Sequence, residues 1–134
     1  FETRGVTLRT DPAAAAVIID ADPERLGQVL TNLLRNALRH TSAGGTVTVR
    51  TAQDGTHAVL HVVDDGEGIT PEHLPHVFER FYRADSSRTT ADGGGSGIGL
   101  TISRAIAEAH GGTLTARSQG AGTGATFALR LPRA

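Results

Sequence analysis

The 134-residue sequence has no cysteine, no methionine, no tryptophan and no lysine. Without cysteine there is no disulfide framework, no thiolate metal site and no cysteine nucleophile, and a cytoplasmic location fits. All 13 basic residues are arginines, which excludes a P-loop, because that motif needs a lysine to reach the β- and γ-phosphates. With only four Phe and one Tyr, the core has to be assembled from Leu, Val, Ile and Ala. The formal net charge of −1 gives no whole-chain reason to bind nucleic acid or an anionic membrane. No apolar run approaches the ~20 residues of a membrane span, and no signal peptide is visible. The first residue is Phe1 rather than Met, so a fragment or processed chain is expected. The length suits one domain with a buried core, spanning residues 1–134.

What is present begins with strands. GVTLRT and AAAAVIID read as short strands joined by the turn-like Asp11-Pro12 pair. Asp22-Pro23 then opens a helix, with Asp22 as N-cap and Pro23 in the first helical position. Leu26, Val29, Leu30, Leu33, Leu34, Ala37 and Leu38 recur at spacings of three and four, a core-facing stripe. TVTVRTAQ and THAVLHVVD follow as a hairpin about Asp54-Gly55. Thr70-Pro71 starts a short helix, and PHVFERFYRAD adds an aromatic turn or helix. Residues 84–97 are almost devoid of apolar side chains and read as a long loop. Ile98 to His110 forms a second amphipathic helix stopped by Gly111-Gly112, and TLTARSQ and ATFALRLP close the chain as strands. The order predicts an α+β fold: a two-layer sandwich of one mixed, mostly antiparallel sheet with helices packed on one face.

Three stretches carry candidate chemistry. On the first helix Asn32, Asn36 and Arg39 are spaced four and three apart, so at ~100° per residue they project from nearly one line beside the apolar stripe. An amide oxygen is a hard, neutral ligand suited to Mg²⁺, and Arg39 suits phosphate charge; solvated helix surface gives the same spacing. VVDDGEGI puts Asp64 at the end of an apolar strand, where a carboxylate accepts from an exocyclic amine such as adenine N6 and repels guanine, with Gly66 and Gly68 letting backbone approach a flat ring. An ordinary Asp-Gly turn reads the same way. GGGSGIGL, with Gly95, Gly97 and Gly99 as close-approach positions, can wrap phosphates with backbone N–H groups at the positive end of the helix that follows. A glycine-rich linker has the same composition.

Taken in order, NLLRNALRHT, DDGEGI, FERFYRADSSR, GGSGIGLTI and GTGATF closely resemble the ATP-binding catalytic domain of bacterial sensor histidine kinases. That group also includes type II topoisomerases, mismatch-repair ATPases and the ninety-kilodalton heat-shock chaperones. The resemblance runs from about Val6 to Pro132 and implies a Bergerat-type sandwich binding ATP and Mg²⁺, with residues 84–97 as the lid over the triphosphate. Carried over by position, Asn36 resembles the Mg²⁺ ligand, with Asn32 and Arg39 near the phosphates. Asp64 resembles the adenine-reading carboxylate, and Gly66, Gly68 and Ile69 shape its pocket. Arg83, and with it Arg80, resemble cations that meet the phosphates. Gly95, Ser96, Gly97, Ile98, Gly99 and Leu100 form the glycine-rich phosphate segment, and Thr126 belongs to the terminal motif lining the nucleotide. Phe78 and Phe81 resemble aromatics coupling the lid to the core, a role they share with simple core packing. The sequence departs from the pattern at Arg39 and His40, where Lys and Tyr are frequent: the charge is kept, and His40 flanks the nucleotide with a smaller, titratable ring. The remaining five histidines read as structural or surface residues.

In hydrolysing relatives and in serine-kinase anti-sigma factors, the residue four before the metal Asn is typically Glu, a general base. Here it is Asn32, which takes no proton at neutral pH, whereas an acceptor imidazole already carries a nucleophilic lone pair. The resemblance therefore implies transfer of the ATP γ-phosphoryl to a histidine. None of the six histidines sits in the acceptor motif, so the acceptor is expected on an upstream dimerisation domain absent from this chain, with a response regulator downstream. A monomeric cytoplasmic fragment of a membrane-anchored homodimer is the corresponding expectation. A serine-kinase anti-sigma factor and a non-catalytic ATP-binding module are the alternatives.

Overall fold

The computed structural model describes residues 5–10, 22–54, 56–79, 99–120 and 122–132. Within them the order is β1 (Thr7–Thr10), α1 (Pro23–His40), β2 (Thr46–Asp54), β3 (His57–Asp64), a one-turn 3-10 helix (Leu74–His76), α2 (Gly99–Ala109), β4 (Thr113–Arg117) and β5 (Ala125–Pro132). The five strands form one sheet in the order β1-β2-β3-β5-β4. β1 pairs parallel to β2 and the other three pairings are antiparallel, so the sheet is mixed and mostly antiparallel as expected. The expected strand AAAAVIID lies outside the described residues.

The first helix begins where the sequence places it. Asp22 is its N-cap, its Oδ1 accepting from the backbone N–H of Glu24 at 3.0 Å and of Arg25 at 3.4 Å, with Pro23 in the first turn. α2 ends in a Schellman arrangement: Gly112 N–H reaches Ala107 O at 2.9 Å and Gly111 N–H reaches Glu108 O at 3.0 Å, with Gly111 at φ 78°. His110 joins the two helices, because Asp22 N–H donates to its Nε2 at 3.2 Å while its Nδ1 donates to Ile106 O at 2.8 Å.

Both helices cover one face of the sheet, α1 over β2 and β3 and α2 over β4 and β5, and they touch each other. Alternation along the strands selects the buried face. In β5, Ala125, Phe127, Leu129 and Leu131 are buried while the residues between them are not. Register carries the same face to Val62 and Asp64 of β3, which pair with Phe127 and Ala125, and to Val47 of β2, which pairs with Asp64. Against it α1 buries Val29, Leu33 and Ala37, and α2 buries Ile106 and Ala107. Each fully buried side chain of Leu or Phe size contributes about 1.5–3 kcal/mol relative to its exposed state.

Two expectations about local structure are revised. Thr70-Pro71 does not start a helix of any length: Thr70 O accepts from His73 and Leu74 N–H at 3.0 Å each, a turn that leads into the single 3-10 turn at Leu74–His76. β4 stops at Arg117 rather than continuing through Ser118 and Gln119. Ser118 Oγ instead accepts from Ile69 N–H at 2.9 Å and donates to Gly124 O at 2.8 Å, so this residue is drawn into a loop junction.

Candidate functional site

The site is built where the C-terminal half of α1, the loop after β3 and the start of α2 meet. Asp64 is the last residue of β3 and is buried on the helix-facing side of the sheet. Its Oδ1 accepts from Gly66 N–H at 3.0 Å. Burial holds its pKa above the ordinary 3.8, opposed by the Gly66 N–H, the nearby His40 charge and the Ala125 N–H. The Asp64 carboxylate therefore has backbone donors on one side and capacity for another donor.

The glycines beside it also pack tightly on the protein's own backbone. A Cβ at Gly66 would collide with the carbonyl oxygen of His40, and one at Gly68 (φ +75°) would collide with that of Gly120. Both of these close approaches are to the protein's own backbone. Glu67 N–H donates to His40 O at 3.0 Å, Gly122 N–H to Glu67 O at 2.6 Å and Gly124 N–H to Gly66 O at 3.2 Å. The 64–69 loop is thus clamped between the end of α1 and the 118–124 turn, which fixes Asp64 against the last turn of that helix. Ile69 is partly buried against the core, and its N–H is held by Ser118.

On α1, Asn32, Asn36, Arg39 and His40 are all half-buried along the ridge that the spacing predicted. Their surroundings differ. Asn32 Nδ2 donates to Gly99 O at 3.3 Å and to Ser103 Oγ at 3.1 Å, both on α2. Gly99 packs on this amide, since a Cβ there would meet Asn32 atoms at 3.7–3.9 Å, an ordinary contact. Leu100 packs partly buried against the core. His40 Nδ1 is paired with Glu67 Oε1 at the rim of the Asp64 loop. Asn36, one turn before His40, lies between the Asn32 and His40 contacts on the same face.

Among the described residues, Thr126 is the one proposed site residue on the other face of the sheet. It pairs with Val63 and Arg117, and strand alternation puts it on the sheet face opposite the one that carries Asp64, Ala125 and Phe127. The residue directly across from Asp64 is Ala125. Phe78 joins the core, meeting Phe127 edge-on at 6.0 Å with the Arg104 guanidinium 5.3 Å over its ring, and its carbonyl accepts from Thr101 Oγ1 at 2.8 Å. Arg80, Phe81, Arg83, Gly95, Ser96, Gly97, Ile98 and the rest of residues 84–97, the expected lid, lie outside the described residues. Ser103 and Ser118 were not singled out from the sequence, because their partners are 71 and 49 residues away.

The donor set fits an adenine nucleotide with a divalent cation. Asp64 offers a buried acceptor of the kind an exocyclic amine fills, and Asn36 offers a neutral oxygen. Among the described residues no group of three or more His, Cys, Asp and Glu could hold a metal ion. A cation here would take most of its ligands from phosphate and water, as Mg²⁺ does.

Comparison with known proteins places the chain in a family. The family model described as "Histidine kinase-, DNA gyrase B-, and HSP90-like ATPase" matches residues 21–134. Sensor protein SrrB of Staphylococcus aureus (strain NCTC 8325 / PS 47) is 42% identical over 112 residues, which is 84% of this chain and 19% of SrrB. The chain thus spans about a fifth of the length of the curated relatives it matches. Among solved structures, mycobacterial sensor histidine kinase MprB is 30% identical with a TM-score of 0.78, covering 98% of this chain and 85% of that one. Full-length ShkA in complex with AMPPNP is 30% identical with a TM-score of 0.84, covering 99% of this chain and 27% of that one. The catalytic domain of histidine kinase ThkA, 24% identical, shares the fold with a TM-score of 0.82 over 98% of this chain and 83% of that one.

Proposed function

The chain belongs to the histidine kinase-, DNA gyrase B- and HSP90-like ATPase family, among the ATP-binding catalytic domains of sensor histidine kinases, and from that premise we propose how it acts. Residues 1–134 form one catalytic unit that binds Mg·ATP and donates the γ-phosphoryl to a histidine on a separate dimerisation domain. The observation that carries this reading is the buried Asp64 carboxylate, clamped by its loop against the half of α1 that bears Asn36 and His40. Asp64 accepts from the adenine amine, and the Gly66 N–H and the His40 charge work against the burial that raises its pKa.

Asn36 supplies an amide oxygen to Mg²⁺, and Arg39 lies on the same ridge to face phosphate charge. Held by Asn36 and the phosphates, Mg²⁺ would supply neutralisation of phosphate charge. Asn32 gives its amide N–H to Gly99 and Ser103 and is no base. This favours an acceptor that needs none: a neutral imidazole nitrogen uses its lone pair on Pγ, the bond from Pγ to the β,γ-bridging oxygen breaks, and ADP leaves with those electrons. The protein's part is orientation and charge placement. Arg83 adds positive charge at the γ-phosphate, and the glycine-rich residues 95–99 present backbone N–H groups to the phosphates. In the longer protein the dimerisation domain carries the acceptor histidine, the full-length kinase is a homodimer anchored in the cell membrane, and a response regulator takes the phosphoryl onward. Among the described residues no helix is long and apolar enough to cross a membrane.

The test is to incubate this chain, Mg²⁺ and γ-labelled ATP with the dimerisation domain of the same kinase. An acid-labile label on the acceptor histidine is expected, and it disappears with Asn36→Ala. Label on serine, or label that persists undiminished in Asn36→Ala, overturns the assignment.

A further inference from the structure

Ser103 is completely buried, yet it is polar and lies on the face of α2 that meets α1. Its hydroxyl oxygen takes the Asn32 amide at 3.1 Å, and the same amide nitrogen reaches Gly99 O at 3.3 Å. The amide is oriented without ambiguity, because a backbone carbonyl only accepts and so must face Nδ2. Replacing two such partners by apolar groups of similar shape is close to neutral for stability, so the pair is better explained by what it positions than by what it stabilises. It positions the first turn of α2. Gly99 is the first residue of that helix among the described residues. Asn36 stands one turn further along α1, about 6 Å along the helix axis from Asn32.

We propose that Asn32 and Ser103 are positioning residues that set the start of α2 against Asn36, and thereby govern affinity for the polyphosphate of the nucleotide and not for its adenine. Asn32 acts through Ser103 and Gly99 rather than by touching phosphate. This rests on the nucleotide reading above and refines it, and the adenine end gives an internal control. Asp64 is held by the 64–69 loop and the 118–124 turn through bonds that include neither Asn32 nor Ser103.

The experiment measures Kd for Mg·ATP and for AMP by calorimetry on the wild-type chain, Ser103→Ala, Asn32→Ala and the double variant. Ser103→Ala weakens Mg·ATP about five- to tenfold, the cost of one hydrogen bond, and leaves AMP within about twofold. In the Asn32→Ala background, Ser103→Ala changes Mg·ATP affinity less than about twofold, since both substitutions remove the same link. An unchanged ATP-to-AMP affinity ratio in Ser103→Ala overturns the proposal, as do single effects that multiply in the double variant. If Ser103→Ala does not fold, Ser103→Thr and Ser103→Cys give the same contrast. Thr keeps the hydroxyl acceptor and the wild-type ratio, whereas Cys, a weak acceptor, lowers it; equal ratios in the two overturn the proposal. Wild-type chain that binds neither ligand overturns the nucleotide reading itself, a result distinct from binding with an unaltered ratio.

Discussion

The two ends of the site are held by different means. At the Asp64 end, backbone grips backbone: Gly66 packs on the His40 carbonyl, Gly68 on that of Gly120, and Gly124 on that of Asp64. At the α2 end, side chains grip across a helix pair, through Asn32, Gly99 and Ser103. A backbone clamp has no room for a Cβ, so substitution there costs folding. A side-chain link is removed without collision, so substitution there costs affinity. On the proposed reading, the purine end is a product of the fold and the phosphate end a fitting placed upon it.

The largest expected effect comes from breaking the clamp. Gly68→Ala forces an L-residue to φ +75° and drives its Cβ into the Gly120 carbonyl, a loss of about 2–4 kcal/mol that denaturant unfolding reads as a lower midpoint. Asp64→Asn leaves the clamp intact but presents an altered group to adenine, and calorimetry should show ATP affinity falling about 10- to 100-fold, the worth of a hydrogen bond to a charged group.

The same substitution has an opposite signature in the unliganded protein. Burial raises the folded pKa of Asp64 above 3.8, so the folded chain holds this proton more tightly than the unfolded one. The associated stability is fully present below the unfolded value and is lost as pH rises through the folded value. Above that folded value the buried charge is a cost, and Asp64→Asn is expected to be no less stable than wild type there. The difference shifts toward the wild type as the solution is acidified through the raised pKa. Thermal unfolding of both proteins across that range checks the sign.

At the phosphate end, Asn36→Ala should remove the Mg²⁺-dependent part of ATP binding while unfolding shifts by about 1 kcal/mol or less, as for a half-buried helical position. The smallest effect belongs to Glu108→Ala. It removes an exposed i,i+4 pair with Arg104 at 3.5 Å, which is worth under about 0.5 kcal/mol and leaves nucleotide binding alone.

Much of this was legible in the sequence, and the rest failed for definite reasons. Asp22 and Pro23 fixed the start of α1 because a cap is a local event, and Gly111-Gly112 ended α2 for the same reason. The Asn32, Asn36 and Arg39 ridge followed from helical period alone. Thr126 was misread although the signal was present: Ala125, Phe127, Leu129 and Leu131 alternate, and a residue between them must point to the other face. The glycines of DDGEG were recognised as close-approach positions, but what they approach is set by His40 and Gly120, which are distant in sequence. Ser103 and Ser118 look like unremarkable serines until the fold supplies Asn32 and Ile69.

The central claim is that Asp64 and the α1 ridge form a single adenine-nucleotide site. Titration calorimetry of the wild-type chain with Mg·ATP and with Mg·GTP tests it most directly. Saturable heat for Mg·ATP with Mg·GTP at least tenfold weaker is the predicted result; equal affinities, or no heat with either nucleotide, would contradict it.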